Sequence, residues 1–315
     1  MRILLGCLAA AMLLAGAARA AGPQPALTPA EQAEVARIRA IYAALKPQTG
    51  DVPVAGTGAT LHLGKDYYFV DPAESRKILV DAWHNPPEAA DGVLGLVFPA
   101  GKDFTDRTWS AVITYSDEGY VSDDDANKTD YNALIQQARD AEPGINARRK
   151  AEGVEEMHLI GWAQPPYYDK PHHTLIWARE IRFGDQSDHT LNYDLRALGR
   201  RGVLSMNILS AMSDLAEVRR AAAKLQNVGT FDPGARYADY KAGTDKKAEY
   251  GIAGLVAAGI GAVVVKKLGL LAIGLVFVKK FIALILAGFA GAAAWLRRLF
   301  TGKKGPPAGA PPALP

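Results

Sequence analysis

Apolar and polar residues alternate through the middle of the chain in a way that is typical of antiparallel β-strands. In residues 174–183, Leu175 and Trp177 fall on one face by the strand period of two. The run before this one is expected to end at Pro165-Pro166, because proline cannot donate a backbone hydrogen bond to a sheet. Turn-like sequences separate the runs, so the pattern predicts a meander with strands at residues 157–163, 174–183, 191–197 and 203–208.

The segments around this meander carry helix signals. The sequence TPAE at residues 28–31 is a capping box with proline at the first helical position, and DPAE at residues 71–74 repeats it. Helices and mainly antiparallel strands in one domain predict an α+β fold in which helices flank the sheet. The predicted helices cover residues 28–46, 71–83, 123–139 and 214–226, and further strands cover residues 60–63, 67–70, 93–98 and 109–115.

The N-terminus has the pattern of an export signal. Arg2 precedes an apolar run, and Ala18-Arg19-Ala20 has the small-x-small form of a cleavage site, so residues 1–20 are predicted to be a signal peptide. Cys7 is the single cysteine of the chain and lies inside this segment. The mature chain is therefore expected to contain neither a disulfide nor a cysteine nucleophile.

The composition changes near residue 248. Between residues 251 and 296 the only charged side chains are two lysine pairs, and each apolar run between them is shorter than the roughly 20 residues that span a bilayer. Residues 248–300 are predicted to form one or more transmembrane helices that contact the lipid bilayer, and residues 301–315 a disordered tail. Basic residues after the last apolar run favour a cytoplasmic C-terminus. Residues 21–247 would then form an exported domain on the periplasmic side of the inner membrane.

The net charge of +3 hides a division along the chain. Ten of the 36 basic residues lie in residues 1–20 or after Tyr250, and none of the 33 acidic residues does. The part between them therefore holds 26 basic and 33 acidic residues, a net charge of −7. Such an acidic domain argues against nucleic-acid binding, which depends on neutralising phosphates.

Three consecutive aspartates are the first candidate for chemistry. Asp123, Asp124 and Asp125 resemble the start of a calcium loop, in which alternate oxygen ligands surround the ion. Lys128 stands where such a loop needs glycine, and no glutamate occupies its last position. The simpler interpretation is that these aspartates cap the helix predicted after them. Neither a metal nor a cofactor is predicted.

Two polar turns offer further candidates. Asp169 and His172 precede a predicted strand, and His172 and His173 are adjacent and so point to opposite faces, which does not suit a shared metal. Arg200 and Arg201 lie between two glycines and could hold an anion with their guanidinium groups. In both cases a solvated turn is the simpler interpretation.

Aromatic side chains are concentrated around the same strands. Trp162, Tyr167, Tyr168 and Trp177 could form a platform for a glycan of the cell wall. Aromatic residues in paired strands more often pack in the core or across strands, which is the competing interpretation.

The meander also carries an alternating polar set. Asn192, Asp194 and Arg196 share one face of a strand, and Glu180 and Arg182 are expected to pair with them from the neighbouring strand. As a structural ladder, each cross-strand pair would contribute roughly 0.2–1 kcal/mol. Alternatively, Asp194 would act as a general base or an ion ligand, with Arg196 holding a substrate anion.

Several stretches resemble a family of membrane-anchored bacterial proteins, the domain-of-unknown-function family 2167. They include LHLGKDYYFVD, WHNPPE, LGLVFPAGK, GWAQPPYYD, LNYDLRALGRRGVL and YADY, and the resemblance covers about residues 61–251. His84 and Tyr240 depart from the pattern, which leads us to expect glycine and phenylalanine there. The resemblance implies an architecture and a location, but no catalytic residue.

These observations favour a non-enzymatic envelope module whose exported domain binds a protein or a cell-wall partner. Two alternatives stay open. One is an envelope hydrolase that uses aspartate and histidine side chains, and the other is a sensor domain for a small ligand or a metal. A cleft lined by carboxylates and histidine would favour the hydrolase, and a closed pocket the sensor.

Overall fold

The computed structural model describes residues 28–260, except residues 86, 107, 152 and 154. It confirms an α+β fold with mainly antiparallel sheets and flanking helices. The helices are α1 (Pro29–Ala44), α2 (Pro72–Arg76), α3 (Tyr131–Asp140), α4 (Glu142–Ala151), α5 (Leu215–Leu225) and α6 (Ile252–Ile260). The strands are β1 (Asp51–Val54), β2 (Ala59–His62), β3 (Tyr67–Val70), β4 (Val93–Pro99), β5 (Ser110–Ser116), β6 (Tyr120–Ser122), β7 (Met157–Asp169), β8 (Thr174–Phe183), β9 (Thr190–Leu198), β10 (Val203–Ala211), β11 (Gly229–Phe231) and β12 (Lys247–Gly251).

The main sheet has seven strands in the order β3-β4-β5-β10-β9-β8-β7, and all neighbours are antiparallel. It therefore consists of two meanders joined where β5 pairs with β10. A second sheet has the order β1-β2-β11, and β6 forms a short parallel pair with β12. That last pair connects the end of the described chain to a segment more than a hundred residues earlier.

Each face of the main sheet carries its own core. Leu195 of β9 and Met206 of β10 pack in a core that also contains residues of α5 and of the three-stranded sheet. On the opposite face, Trp177 of β8 packs in a core with residues of α3, β12 and α6. A third core around Ile78 and Phe98 joins α1 and the π-helical segment Lys77–Ala82, which continues α2, to β4. The helices are thus held to the sheet by apolar contacts, and α3 also contacts α6 within the core around Trp177.

Strand β7 runs further than its prolines suggest. The prediction that it ends at Pro165-Pro166 is wrong, because β7 continues to Asp169. It is an edge strand, and its register with β8 shifts between Gln164 and Tyr167, so the missing proline N–H groups leave no ladder bond broken.

The outer side of β7 is closed by side chains. Glu142 accepts a hydrogen bond from the backbone N–H of Leu159 at 2.7 Å, and Asn146 exchanges two hydrogen bonds with the backbone of Met157. Arg139 donates to the backbone oxygen of Leu159 at 3.0 Å. The first half of the edge strand therefore has few free backbone groups for pairing with another chain.

The helix predicted at residues 123–139 begins later. Residues 124–128 form turns, and α3 begins at Tyr131, where the Asp130 carboxylate accepts from the N–H groups of Asn132 and Ala133. Asp130 therefore caps this helix, and the expectation that Asp123, Asp124 and Asp125 cap it is wrong.

The segment assigned to the membrane anchor begins inside packed structure. β12 and α6 contribute Tyr250, Leu255 and Ile260 to the same core as Trp177. Among the described residues, no helix is both long and apolar enough to cross a membrane. The predicted signal peptide, the remainder of the predicted anchor and the predicted tail lie outside the described residues.

Among the described residues, two other than glycine adopt a left-handed backbone, His84 with φ 56° and His173 with φ 49°. At position 84 the family resemblance leads us to expect glycine, which adopts this conformation without strain. The left-handed backbone at position 84 thus gives a physical reason why glycine is expected there. At position 173 the same strain lies within the candidate binding site.

Candidate binding site

The tip of the β7–β8 hairpin meets β6 and the turn over Tyr237–Asp239. Here Asp123, Tyr168, His173 and Tyr237 contact one another, and we call these four residues the His173 cluster. Three elements that are distant in sequence therefore supply its side chains. Asp123, Tyr168 and His173 are half-buried, and Tyr237 is buried.

Backbone contacts hold the cluster in place. The carbonyl oxygen of His173 accepts from the N–H of Leu198 at 2.9 Å, which ties the hairpin tip to the end of β9. The Tyr237 hydroxyl donates to the carbonyl oxygen of Val121 at 3.0 Å and accepts from the N–H of Asp123 at 3.1 Å. The position of Asp123 is thus set from the turn that carries Tyr237.

A hydrogen-bond chain runs through the cluster. The Tyr168 hydroxyl lies 2.9 Å from Oδ2 of Asp123 and 3.0 Å from Nδ1 of His173. Burial raises the pKa of Tyr168 far above its usual range, and the neighbouring Asp123 carboxylate raises it further, so the hydroxyl stays protonated. Burial lowers the pKa of His173, with the Asp123 carboxylate opposing this and Lys170 adding to it. His173 is therefore neutral at pH 7.

Aromatic rings continue from the cluster as a stack. The His173 ring lies 4.3 Å from the ring of Tyr237, which lies 4.5 Å from Tyr120, which in turn lies 3.9 Å from Tyr240, all measured between centroids. We call these four rings the aromatic stack. Tyr120 and Tyr240 are half-buried, so the stack runs from the hairpin tip towards the surface.

The three consecutive aspartates separate in the fold. Asp123 joins the His173 cluster, and the exposed Asp124 accepts from the hydroxyl of Ser122 at 2.6 Å. Asp125 accepts from the N–H groups of Ile252 and Ala253 and so caps α6. Their carboxylates therefore serve different partners, and no group of three or more metal-ligating side chains is present within the described part of the chain.

The two candidate turns are mostly occupied by structural contacts. The exposed His172 is within 3.0 Å of the Asp169 carboxylate. Arg200 forms a bidentate pair with Asp245, with distances of 2.7 and 2.8 Å, and the neighbouring Arg201 is exposed. Arg200 and Arg201 are therefore not brought together around an anion.

The four aromatic candidates do not form one platform. Trp177 is fully buried, and the Trp162 indole donates to the backbone oxygen of Tyr131. Tyr167 is 59% exposed, and its neighbour Tyr168 points the other way into the His173 cluster. Only Tyr168 of these four therefore contributes to the site.

The alternating polar residues of β9 are buried together with Arg179 of the neighbouring strand β8. Arg179, Asn192, Asp194 and Arg196 are each 6% exposed or less, and we call them the buried polar layer. The Arg196 guanidinium lies 4.9 Å above the Trp177 ring and 3.4 Å from the Asp194 carboxylate. The Arg179 guanidinium donates to Asn192 at 2.6 Å and lies 4.0 Å from Asp194.

The cross-strand partners of this layer differ from those that the sequence predicts. The register of β8 and β9 places Arg179 opposite Asn192 and Trp177 opposite Asp194, whereas Glu180 lies opposite the apolar Leu191. The predicted pairing with Glu180 and Arg182 is therefore wrong, because these two side chains point to the other face. α6 packs over the layer closely enough that a Cβ on Gly259 would lie 2.6 Å from Trp177.

Sequence reasoning considered His173 only as a neighbour of His172 and interpreted both as part of a solvated turn, and it did not consider Tyr120 or Tyr237 as site residues. A signal was present at His173, since it lies in a short turn between two predicted strands and histidine is one of the residues other than glycine that are enriched in left-handed backbone. No local pattern links the tyrosines, because the aromatic stack joins segments from three parts of the chain.

Comparisons with known proteins identify a family without an established activity. No curated protein matches the chain. Among solved structures, the solution structure of cyanobacterial PsbP (CyanoP) from Synechocystis sp. PCC 6803 is similar at 10% identity, covers 60% of this chain and 92% of that chain, and has a TM-score of 0.32. The model of the family described as "Protein of unknown function (DUF2167)" matches residues 46–290. The chain therefore belongs to this family of unknown function, DUF2167.

Proposed function

We propose that this protein is a non-enzymatic binding module of the bacterial envelope. Its domain binds a protein or a cell-wall partner through the His173 cluster and the half-buried end of the aromatic stack. An export signal at residues 1–20 carries the domain across the inner membrane, and the apolar segment after Ile260 anchors it to the bilayer.

The observation that carries this proposal is the His173 cluster itself. It combines a neutral imidazole, a fixed hydrogen-bond chain and aromatic rings at a junction of three elements. Aromatic surface together with a few placed polar groups is what binding sites use to hold and orient a ligand. The other polar candidates support this choice, since Asp125, Arg200 and Asp194 are engaged in a helix cap, a surface ion pair and the buried polar layer.

A hydrolase is the second candidate, and one specific observation favours it. A carboxylate that orients a histidine through another group is an arrangement that activates general bases, and Asp123, Tyr168 and His173 form such a chain. Among the described residues, the His173 ring is hydrogen-bonded to the Tyr168 hydroxyl and not to a serine or threonine hydroxyl, so the base would act on water rather than on a side-chain nucleophile. Binding needs fewer groups than catalysis, and we therefore place the binding module first.

A photo-reactive amino acid at position 240 tests the proposal in living cells. Tyr240 lies at the end of the aromatic stack, and Tyr42 on α1 is a matched control because it is a 55% exposed tyrosine away from the cluster. We expect irradiation to give a discrete adduct from position 240 and none from position 42. The same adducts from both positions, or none from position 240, would contradict the proposed binding surface.

A further inference from the structure

We propose that Nε2 of His173 is a hydrogen-bond acceptor for a hydroxyl group of an uncharged saccharide. This inference rests on the proposed function and names the class of its ligand. The protein prepares the acceptor by fixing the proton of His173 on the other ring nitrogen, through Tyr168 and Asp123. The hydrogen-bond geometry of the cluster requires this arrangement.

The proton positions follow from counting donors. The Tyr168 hydroxyl has one proton and two neighbours, Oδ2 of Asp123 at 2.9 Å and Nδ1 of His173 at 3.0 Å. An ionised carboxylate only accepts, so the hydroxyl donates to Asp123. The Tyr168 oxygen then accepts from Nδ1, which must carry the proton of the neutral ring. The lone pair of the imidazole is therefore on Nε2.

The opposite arrangement is unfavourable. If Tyr168 donated to His173, its oxygen and the Asp123 carboxylate oxygen would face each other at 2.9 Å with no proton between them. The backbone N–H of Asp123 donates to Tyr237 at 3.1 Å, which fixes the main chain from which this carboxylate extends. The cluster thus selects one tautomer of His173.

Burial is the main reason that the His173 ring stays neutral. Lys170 of the hairpin turn and burial both oppose the imidazolium, whereas Asp123 favours it. Tyr168 and Tyr237, from the two other packed elements, hold protonated hydroxyls. A neutral ring with a lone pair on Nε2 accepts a hydrogen bond and does not donate one from that atom.

The backbone at position 173 supports a role for the side chain. His173 has φ 49°, a conformation that glycine adopts without strain and that a histidine adopts at a cost. The turn itself needs only the backbone conformation. A histidine at this position therefore points to the imidazole as the useful group.

The surroundings select an uncharged, hydroxyl-bearing ligand. Tyr237 and Tyr120 are covered on both ring faces by their neighbours in the stack, so Tyr240, at the end away from His173, offers the aromatic surface that suits the apolar face of a sugar ring. A saccharide of several units could contact both this ring and the acceptor. Residues 21–250 carry a net charge of −7, and Asp123 lies within the cluster, so an anionic ligand would be repelled. A ligand hydroxyl supplies the proton that Nε2 accepts.

The tautomer is measured first, by ¹⁵N NMR of the full chain with labelled histidine. The six histidines are assigned with single variants, and His172 next to His173 serves as the internal control. At pH 7.5 we expect His173 to show a protonated Nδ1 and an unprotonated Nε2, and Tyr168→Phe to abolish this preference without changing His172. A protonated Nε2 in the unsubstituted protein would overturn the inference.

The ligand class is tested with a tetrasaccharide of N-acetylglucosamine as the probe. We expect a saturable shift of the His173 Nε2 resonance, an affinity at least about tenfold weaker in His173→Asn, and an unchanged affinity in His172→Asn. Asparagine tolerates the left-handed backbone, so this variant is expected to fold. Tyr168→Phe gives a second test that leaves position 173 intact, and it too should weaken binding.

The outcomes separate this inference from the proposed function. Absence of any shift at millimolar tetrasaccharide overturns the saccharide inference, even when an adduct forms at position 240. An equal affinity in folded His173→Asn overturns it as well. A saturable shift that depends on His173 supports it, even when no protein is captured from position 240.

Discussion

Neutralising Asp194 should strongly destabilise the domain. Asp194 is 1% exposed and lies between the guanidinium groups of Arg196, at 3.4 Å, and Arg179, at 4.0 Å. Asp194→Asn keeps the shape and one acceptor oxygen, but it removes the negative charge between two buried positive charges. Removing one partner of a buried ion pair costs about 3–5 kcal/mol, because a buried charge then loses the opposite charge that offset its desolvation.

Thermal unfolding of the full chain measures this cost. For a domain of this size each kcal/mol lowers the melting temperature by about 2–4 °C, so Asp194→Asn should lower it by about 6–20 °C. The matched control is Asp124→Asn, since Asp124 is exposed and bonds only locally to Ser122, and its free energy of unfolding should change by less than about 0.5 kcal/mol.

Two results would refute this reasoning. If Asp194→Asn unfolds at the same temperature as Asp124→Asn, the buried polar layer does not depend on the Asp194 charge. If Asp194→Asn is normally stable but loses all cellular function, Asp194 has a chemical role, and the preference for a non-enzymatic module is wrong.

Three further predictions concern α6 and a surface ion pair. Gly259→Val should destabilise the domain by about 1–3 kcal/mol and change tryptophan fluorescence, because a Cβ at this position would lie 2.6 Å from Trp177. A chain that ends at Lys246 lacks β12 and α6, so it should show an earlier and broader thermal transition than the full chain, and equal transitions would show that α6 is not part of the fold. The hydrogen bonds from Arg200 lower the pKa of Asp245 from 3.8 to about 2, so the stabilisation by this pair is present above pH 4 and is lost as the pH falls towards 2. Asp245→Asn should therefore be less stable than the unsubstituted protein at pH 6 and lose most of this difference at pH 2, and a difference that persists undiminished at pH 2 would contradict the assignment.

The strands of the meander were predictable because their pattern is local. The alternation in residues 174–183, 191–197 and 203–208 predicts β8, β9 and β10 within a few residues. The end of β7 was not predictable in the same way. Whether a proline stops a strand depends on whether that strand lies at an edge, and this is a property of the whole sheet.

Side-chain roles set by distant contacts were not predictable. Asp125 caps a helix that begins 127 residues later, so its neighbours in sequence contain no sign of its partner. The alternation of Asn192, Asp194 and Arg196 indicates a polar face, but its burial depends on tertiary packing that includes α6, within a segment whose composition indicates a membrane anchor. Composition cannot distinguish a helix that packs in a core from one that enters a bilayer.

The most direct test of the binding module is partner capture with single variants of the two adjacent histidines. Cells would carry the photo-reactive residue at position 240 together with His173→Asn or His172→Asn, and the adduct yield would be compared at equal protein levels. Binding through the His173 cluster predicts that His173→Asn loses most of the adduct and that His172→Asn retains it. An unchanged adduct yield in folded His173→Asn would contradict the claim that this protein binds its partner through that cluster.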